Sequence, residues 1–351
     1  MDKNESINGI TKDLIDQVLK DDNLECESFE LLGNETAHEV FLIRVKTNNN
    51  LHLKFFHKSE QNIKSKINNE VNVLKYLSIN SSIPVPTLYS HDNSTENCFK
   101  REYILTSVCD GTPLSEIFPD VILDRKKEYV KVVAKLVNEI INTTTFTSIG
   151  SFVNFDESTN ELEVGEDVLT QSGPYDKFSG YIKETTGYFL DRYVKSHKKF
   201  SKYSEAIQKF FDQKINSIKV DNKFVLCHTN LSLRNIYVNK NTKEITGVSG
   251  WGESFSNIPF YCYSSFDIFS EHPDEQEPTE EESKLEDFYF QECKEDDDNE
   301  KLDELNEMEE VLYEIADLND SNKSSSDIKK AEKMIEDDIL DILEENKIDY
   351  D

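Results

Sequence analysis

No stretch of the chain approaches the roughly 18 consecutive apolar residues needed to span a bilayer. Its first residues, MDKNESINGI, lack the basic region and apolar core of a secretory leader, so nothing reads as a signal peptide. The six cysteines (Cys26, Cys98, Cys109, Cys227, Cys262, Cys293) include no C-x-x-C pair. Neither a zinc site nor a disulfide framework is expected from that spacing, and reduced thiols in a cytoplasmic setting fit it. A cationic excess is also missing: 39 Lys and Arg stand against 70 Asp and Glu. Nucleic acid, whose phosphates demand positive surface, is excluded as a partner, and a membrane is not expected either. No internal repeat is evident.

The acidic excess is uneven. From Glu271 to Asp351 there are 33 acidic and 8 basic residues, a net of −25; residues 1–270 carry 37 and 31, a net of −6. The expected organisation is an opening helix within residues 1–28, a strand-rich unit over 29–108, a mostly helical unit over 109–270, and an acidic, mostly helical extension over 271–351.

Hydrophobic spacing supplies the elements. Ile7, Ile10, Leu14 and Val18 recur at helical intervals. Apolar runs at Phe29–Leu32, Val40–Val45 and Leu51–Phe56 then read as three strands, with Asn48-Asn49-Asn50 as a turn. A helix over 61–77 carries Ile63, Ile67, Val71, Leu74 and Leu77 on one face, and Arg101–Val108 reads as a further strand. Helical periodicity dominates from Pro113 to about Asn222, at 121–141, 178–193 and 204–218. A hairpin is expected across FVLCH, IYV and EITGV, followed by an acidic irregular stretch to about Glu282. Two helices follow, through Leu302–Ile315 and Ile328–Ile342. The lysines and arginine of KETTGYFLDRYVKSHKKF could cover an acidic partner or the chain's own acidic end.

Within this order, Lys54 sits mid-strand in LHLKFF, where an ammonium among apolar neighbours needs an anionic partner. Glu70, on the next helix in NNEVN, is the natural one. Either residue alone reads as a solvated surface charge; the pair, at this order and separation, reads as the cation that holds nucleotide phosphates and the carboxylate that positions it.

The most specific stretch is FVLCHTNLSLRNIYVNKNTKEITGVSGWGE. It resembles the catalytic block of the aminoglycoside phosphotransferase and choline kinase-like family, H-[GT]-D-x-x-x-x-N, a hairpin, then D-W-E. His228, Thr229, Leu231, Arg234, Asn235, Ile236, Gly247, Val248 and Trp251 match, and the run R-N-I is similar to the fungal-type branch. IPVP at 83–86 and REYILTSVCDGTPL resemble the family's segment after the glutamate helix and its hinge strand. The resemblance runs from about Phe29 to Phe266 and implies a bilobal α+β fold of the protein kinase type. It also implies ATP as cofactor, held by Lys54, Glu70, Gly33, Ser107 and Cys109. His228 would support the loop, and Asn235 would be a metal ligand.

The departures fall on the chemistry. Asn230 stands where the family has its catalytic aspartate, and an amide cannot take the substrate's proton; general-base help is worth about 10²–10⁴-fold in rate. Gly250 stands at the metal-binding aspartate of D-W-E, and Gly252 at its glutamate, so magnesium binding is expected to be weak or absent. Two readings follow. One is a catalytically impaired pseudokinase that keeps its nucleotide and serves a protein or small-molecule partner. The other is an active, hydroxyl-directed phosphotransferase whose metal ligand has moved, for instance to Glu253.

Overall fold

The computed structural model describes residues 6–34, 38–47, 49–56, 63–168, 170–220, 223–264, 279–293, 300–318 and 325–350. The opening helix starts later than its periodicity suggests. Ser6–Ile7 (β1) and Ile10–Thr11 (β2) pair as a tight hairpin around Asn8 and Gly9, whose φ values of 51° and 82° cannot continue a helix. Helix α1 then runs Lys12–Leu19, with Thr11 Oγ1 accepting from the Leu14 N–H at 3.4 Å.

The N-lobe sheet contains β3 (Cys26–Asn34), β4 (His38–Val45), β5 (Asn50–Phe56), β6 (Leu88–Asp92) and β7 (Tyr103–Ser107). They lie antiparallel in the order β3-β4-β5-β7-β6. Asn48 of the expected turn lies outside the described residues. Alternation along β5 decides which side chains meet the core. Leu51, Leu53 and Phe55 are fully buried with Phe41, Ile43 and Leu105, beside Ile15 and Leu19 of α1. His52 and Lys54 therefore point to the other face, because successive strand residues alternate sides.

Helix α2 (Ile63–Asn80) crosses between the lobes. Its apolar residues Ile67, Val71, Leu74 and Leu77 join a core that continues into the C-lobe. Three asparagines fix it there. Asn69 Oδ1 accepts from the Phe152 N–H at 2.7 Å, while its Nδ2 donates to the carbonyls of Gly252 at 3.0 Å and Ser254 at 2.8 Å. Asn72 and Asn68 donate to the carbonyls of Phe152 and Val153, at 3.1 and 2.6 Å.

The C-lobe begins with β8 (Thr112–Pro113) and α3 (Leu123–Thr143). After β9 (Thr145–Phe146), a hairpin absent from the sequence reading appears: β10 (Phe152–Asp156) and β11 (Glu161–Val164). Helix α4 (Phe178–Phe189) continues into a π turn over Leu190–Val194, and α5 is Ser204–Ser217. Strands β12 (Phe224–Cys227), β13 (Ile236–Val238), β14 (Ile245–Val248) and β15 (Phe255–Asn257) precede the short helix α6 (Phe260–Ser264). They form two three-stranded sheets, β15-β12-β9 and β14-β13-β8.

Where it is described, the acidic segment packs into the C-lobe. Helix α7 (Glu280–Cys293), which begins at the end of the stretch read as irregular and matches no element expected from the sequence, buries Leu285, Tyr289 and Cys293 in the core that holds α3. Helices α8 (Glu300–Asp317) and α9 (Ser325–Glu345) place Leu305, Met308, Leu312, Ile315, Ile339 and Leu343 in the core of α4 and α5. Charge follows packing: Lys199 and Lys202 reach Glu336 of α9 at 2.9 and 3.0 Å. These two ammoniums hold that carboxyl down at about 2. Part of the basic stretch near residue 200 thus faces the chain's own acidic end.

Candidate functional site

Between the lobes lies a cleft of about 430 Å³. The face of β5 opposite the N-lobe core supplies His52 and Lys54, α2 supplies Lys66 and Glu70, and the strand leaving the N-lobe supplies Thr106, Ser107 and Cys109. From below come Asn230, Ser232, Arg234, Asn235 and Tyr237, then Ser249, Gly250, Gly252 and Glu253. Nine of the eleven residues singled out from the sequence therefore meet in one cavity: Lys54, Glu70, Ser107, Cys109, Asn230, Asn235, Gly250, Gly252 and Glu253.

The other two lie elsewhere. Gly33 sits on β3, paired with Val40 of β4, and Val40 lines the cleft. The turn beyond it, 35–37, lies outside the described residues. His228 is buried beneath the floor at 2% exposure, its ring 4.4 Å from that of Trp251. Its Nε2–H donates to the Ser249 carbonyl at 2.9 Å, and its Nδ1 accepts from the Asn230 N–H at 3.3 Å. Burial pushes this imidazole down to about 4, only partly offset by the Ser249 hydrogen bond, so it is neutral at physiological pH. It braces the loop from behind.

The Lys54–Glu70 pair is formed. Lys54 Nζ stands 2.7 Å from Glu70 Oε2, with the Glu70 side chain 8% exposed. Because Asn68, Asn69 and Asn72 pin α2 to the C-lobe, the pair is built into the fold without any ligand. His52, one strand period from Lys54, is shifted downward by burial and then by the Lys54 charge, and contributes no positive charge at neutral pH. The hinge side is tight: a methyl group on Gly247 would fall 2.5 Å from Cys109 Cβ. Burial, with Asp110 adding to it, raises the Cys109 thiol to about 12, so it lines the cleft as a neutral group.

The floor offers little to a divalent cation. Asn235 Nδ2 donates to the Asn230 carbonyl at 2.8 Å, and its Oδ1 accepts from Ser249 Oγ at 3.4 Å. Gly250 has φ +86°, and a Cβ there would come within 2.8 Å of Asn235 Nδ2. Among the described residues, the carboxylates lining the cleft are Glu70, engaged by Lys54, and Glu253, whose Oε1 is 3.4 Å from Lys66 Nζ. Among the described residues no group of three or more His, Cys, Asp or Glu could hold a metal ion. A hard cation prefers several oxygen ligands in tight geometry, and the residues present do not fit one.

Sequence reasoning missed His52, Lys66 and Tyr237. The signals for the first two were present: His52 shares a strand face with Lys54, and Lys66 precedes Glu70 by one helical turn.

No family model matches the chain, and no curated protein does. Solved structures do. A GDP complex of an aminoglycoside 2′-phosphotransferase is 14% identical, with a TM-score of 0.59 over 94% of this chain and 98% of that one. An amicoumacin kinase in complex with AMP-PNP and Ca²⁺ is 12% identical, TM-score 0.58, over 95% of each chain. A microcompartment-associated aminopropanol kinase is 14% identical, TM-score 0.57, over 97% and 99%. The chain has the fold of the aminoglycoside phosphotransferase and choline kinase-like proteins, a β-rich N-terminal lobe on a helical C-terminal one. These three matches cover 94–97% of this chain.

Proposed function

We propose that this chain is a kinase-fold protein that binds a nucleotide in its interlobe cleft but is impaired in phosphoryl transfer. The observation that carries the reading is the division within one cavity. The Lys54–Glu70 pair is in place at 2.7 Å, whereas the floor presents Asn230, Asn235, Gly250 and Gly252. Phosphoryl transfer depends on positioning, charge neutralisation and a group that orients the nucleophile. Lys54 can meet phosphate oxygens, and the hinge residues Thr106, Ser107 and Cys109 border a space of the right kind for a base. Asn230, exposed at the loop, has no lone pair basic enough to take a hydroxyl proton, and magnesium is weakly held or absent. A structure of the same fold in complex with AMP-PNP supports ATP as the ligand, and another in complex with GDP supports a purine nucleotide more broadly. The protein's role is then regulatory or scaffolding, in a cytoplasmic setting, towards a protein or small-molecule partner that the cleft alone does not identify. Binding of fluorescent ATP to the full chain, lost in Lys54→Met, is the test; equal binding by wild type and variant would sink it.

A second reading keeps catalysis through Glu253, which lines the cleft. Against it, Glu253 faces Lys66, and its carbonyl accepts from Thr229 Oγ1, which fixes the turn. ATP turnover on a panel of hydroxyl compounds, abolished in Glu253→Ala, would establish that reading.

A further inference from the structure

Lys66 precedes Glu70 by one turn of α2, so both project from the same face of the helix into the cleft. Gly252 lies beneath them: a Cβ there would stand 3.3 Å from Glu70 Oε2 and 3.9 Å from the Lys66 carbonyl. Lys66 therefore carries its ammonium over the Gly250–Glu253 turn, where the resemblance places the metal-binding carboxylates. Its side chain is 22% exposed and Nζ reaches Glu253 Oε1 at 3.4 Å, while Glu253 is 49% exposed.

A divalent cation neutralises phosphate charge and draws phosphate oxygens together. With aspartates at positions 230 and 250 the cleft would have two more negative charges and would need that cation. Asn230 and Gly250 remove both. Among the described residues the lining then holds three cations, Lys54, Lys66 and Arg234, against Glu70 and Glu253, and His52 is shifted towards its neutral form. Without any metal the balance of these described residues is already positive.

We infer that the cleft takes the nucleotide's polyphosphate without a divalent cation, and that Lys66 is a phosphate-binding residue held by Glu253 until the ligand enters. An ion pair with one half-exposed partner is weak. A polyphosphate, with more charge than one carboxylate, displaces Glu253 from the ammonium. Nothing is transferred and no bond is made or broken. The inference rests on the nucleotide reading above and adds to it the ionic form of the ligand and the residue that recognises it.

The experiment is calorimetric titration of the full chain with ATP, once in EDTA and once in excess Mg²⁺, repeated with Lys66→Gln and Glu253→Gln. Free ATP is expected to bind at least as tightly as its magnesium complex. Lys66→Gln should weaken free ATP roughly tenfold, the scale of one charge-assisted contact, while leaving adenosine binding unchanged. Glu253→Gln should strengthen free ATP a few-fold, and unfolding curves for both variants report whether the fold is intact. Binding of the magnesium complex about tenfold tighter than free ATP would overturn the inference and leave the nucleotide reading standing. Binding of neither form would overturn both. Unchanged free-ATP affinity in Lys66→Gln, or a loss of adenosine binding along with it, would remove Lys66 from the ligand.

Discussion

Asn69→Ala tests whether the helix carrying Glu70 is fixed by the fold. Asn69 is 1% exposed and serves three main-chain groups: the Phe152 N–H and the carbonyls of Gly252 and Ser254. Removing a partner from a buried polar group costs about 1–3 kcal/mol, with carbonyls nearer the low end because they have a second lone pair. One N–H and two carbonyls left without Asn69 give a loss of about 3–5 kcal/mol. For a chain of this length that corresponds to roughly 5 °C in midpoint temperature. Asn69→Asp sharpens the test. Its carboxylate can still accept from Phe152 but faces two carbonyl oxygens, so at neutral pH it should be at least as destabilising as alanine. Acidification, which returns a proton to donate, should recover part of the loss. Thermal unfolding of the three proteins at two pH values measures this. A midpoint shift below about 1 °C for Asn69→Ala would refute the idea that this side chain anchors α2.

Two further predictions concern buried charge and the altered floor. Glu309 of α8 is buried and accepts a hydrogen bond from Tyr261 Oη, and burial, with a smaller push from Glu310, raises its carboxyl to about 8. The folded state therefore holds this proton where the unfolded chain releases it. The group's contribution to stability is full below about pH 4.5 and lost as pH rises to about 8. Urea unfolding of Glu309→Gln should show that slope flattened between pH 5 and 8; an unchanged slope would mean that Glu309 is not its source. Gly250→Asp must accept φ +86° and displace the Asn235 amide, so it should cost about 1–2 kcal/mol. Combined with Asn230→Asp it should make ATP affinity rise with Mg²⁺; no response to magnesium would mean that the floor differs in more than these two positions.

The fold was legible where local pattern and tertiary role agree. Alternation in LHLKFF separates Lys54 from the core-facing Leu53 and Phe55, and the strand-helix order leads to Glu70. The catalytic-block resemblance led to the floor because its residues are contiguous in sequence. What stayed hidden depends on distant partners. Asn68, Asn69 and Asn72 look like solvated helix residues until β10, some 80 residues later, offers them main-chain groups. Leu285, Tyr289 and Cys293 recur every four residues, but the dense negative charge around them obscured the stripe. The same charge hid how far the helices at the end of the chain enter the C-lobe cores. The hairpin of β10 and β11 is too short for its alternation to stand out. Which partner the cleft serves was not legible at all, because recognition there depends on shape assembled from seven separate segments.

Calorimetric injection of ATP and Mg²⁺ into the full chain, with a mixture of hydroxyl compounds present, tests the central claim most directly, since binding and turnover give different heat signals. The account predicts a saturable binding heat that returns to baseline after each injection. Sustained heat from continuing phosphoryl transfer would contradict the loss of catalysis, and the absence of any binding heat would contradict the retained nucleotide site.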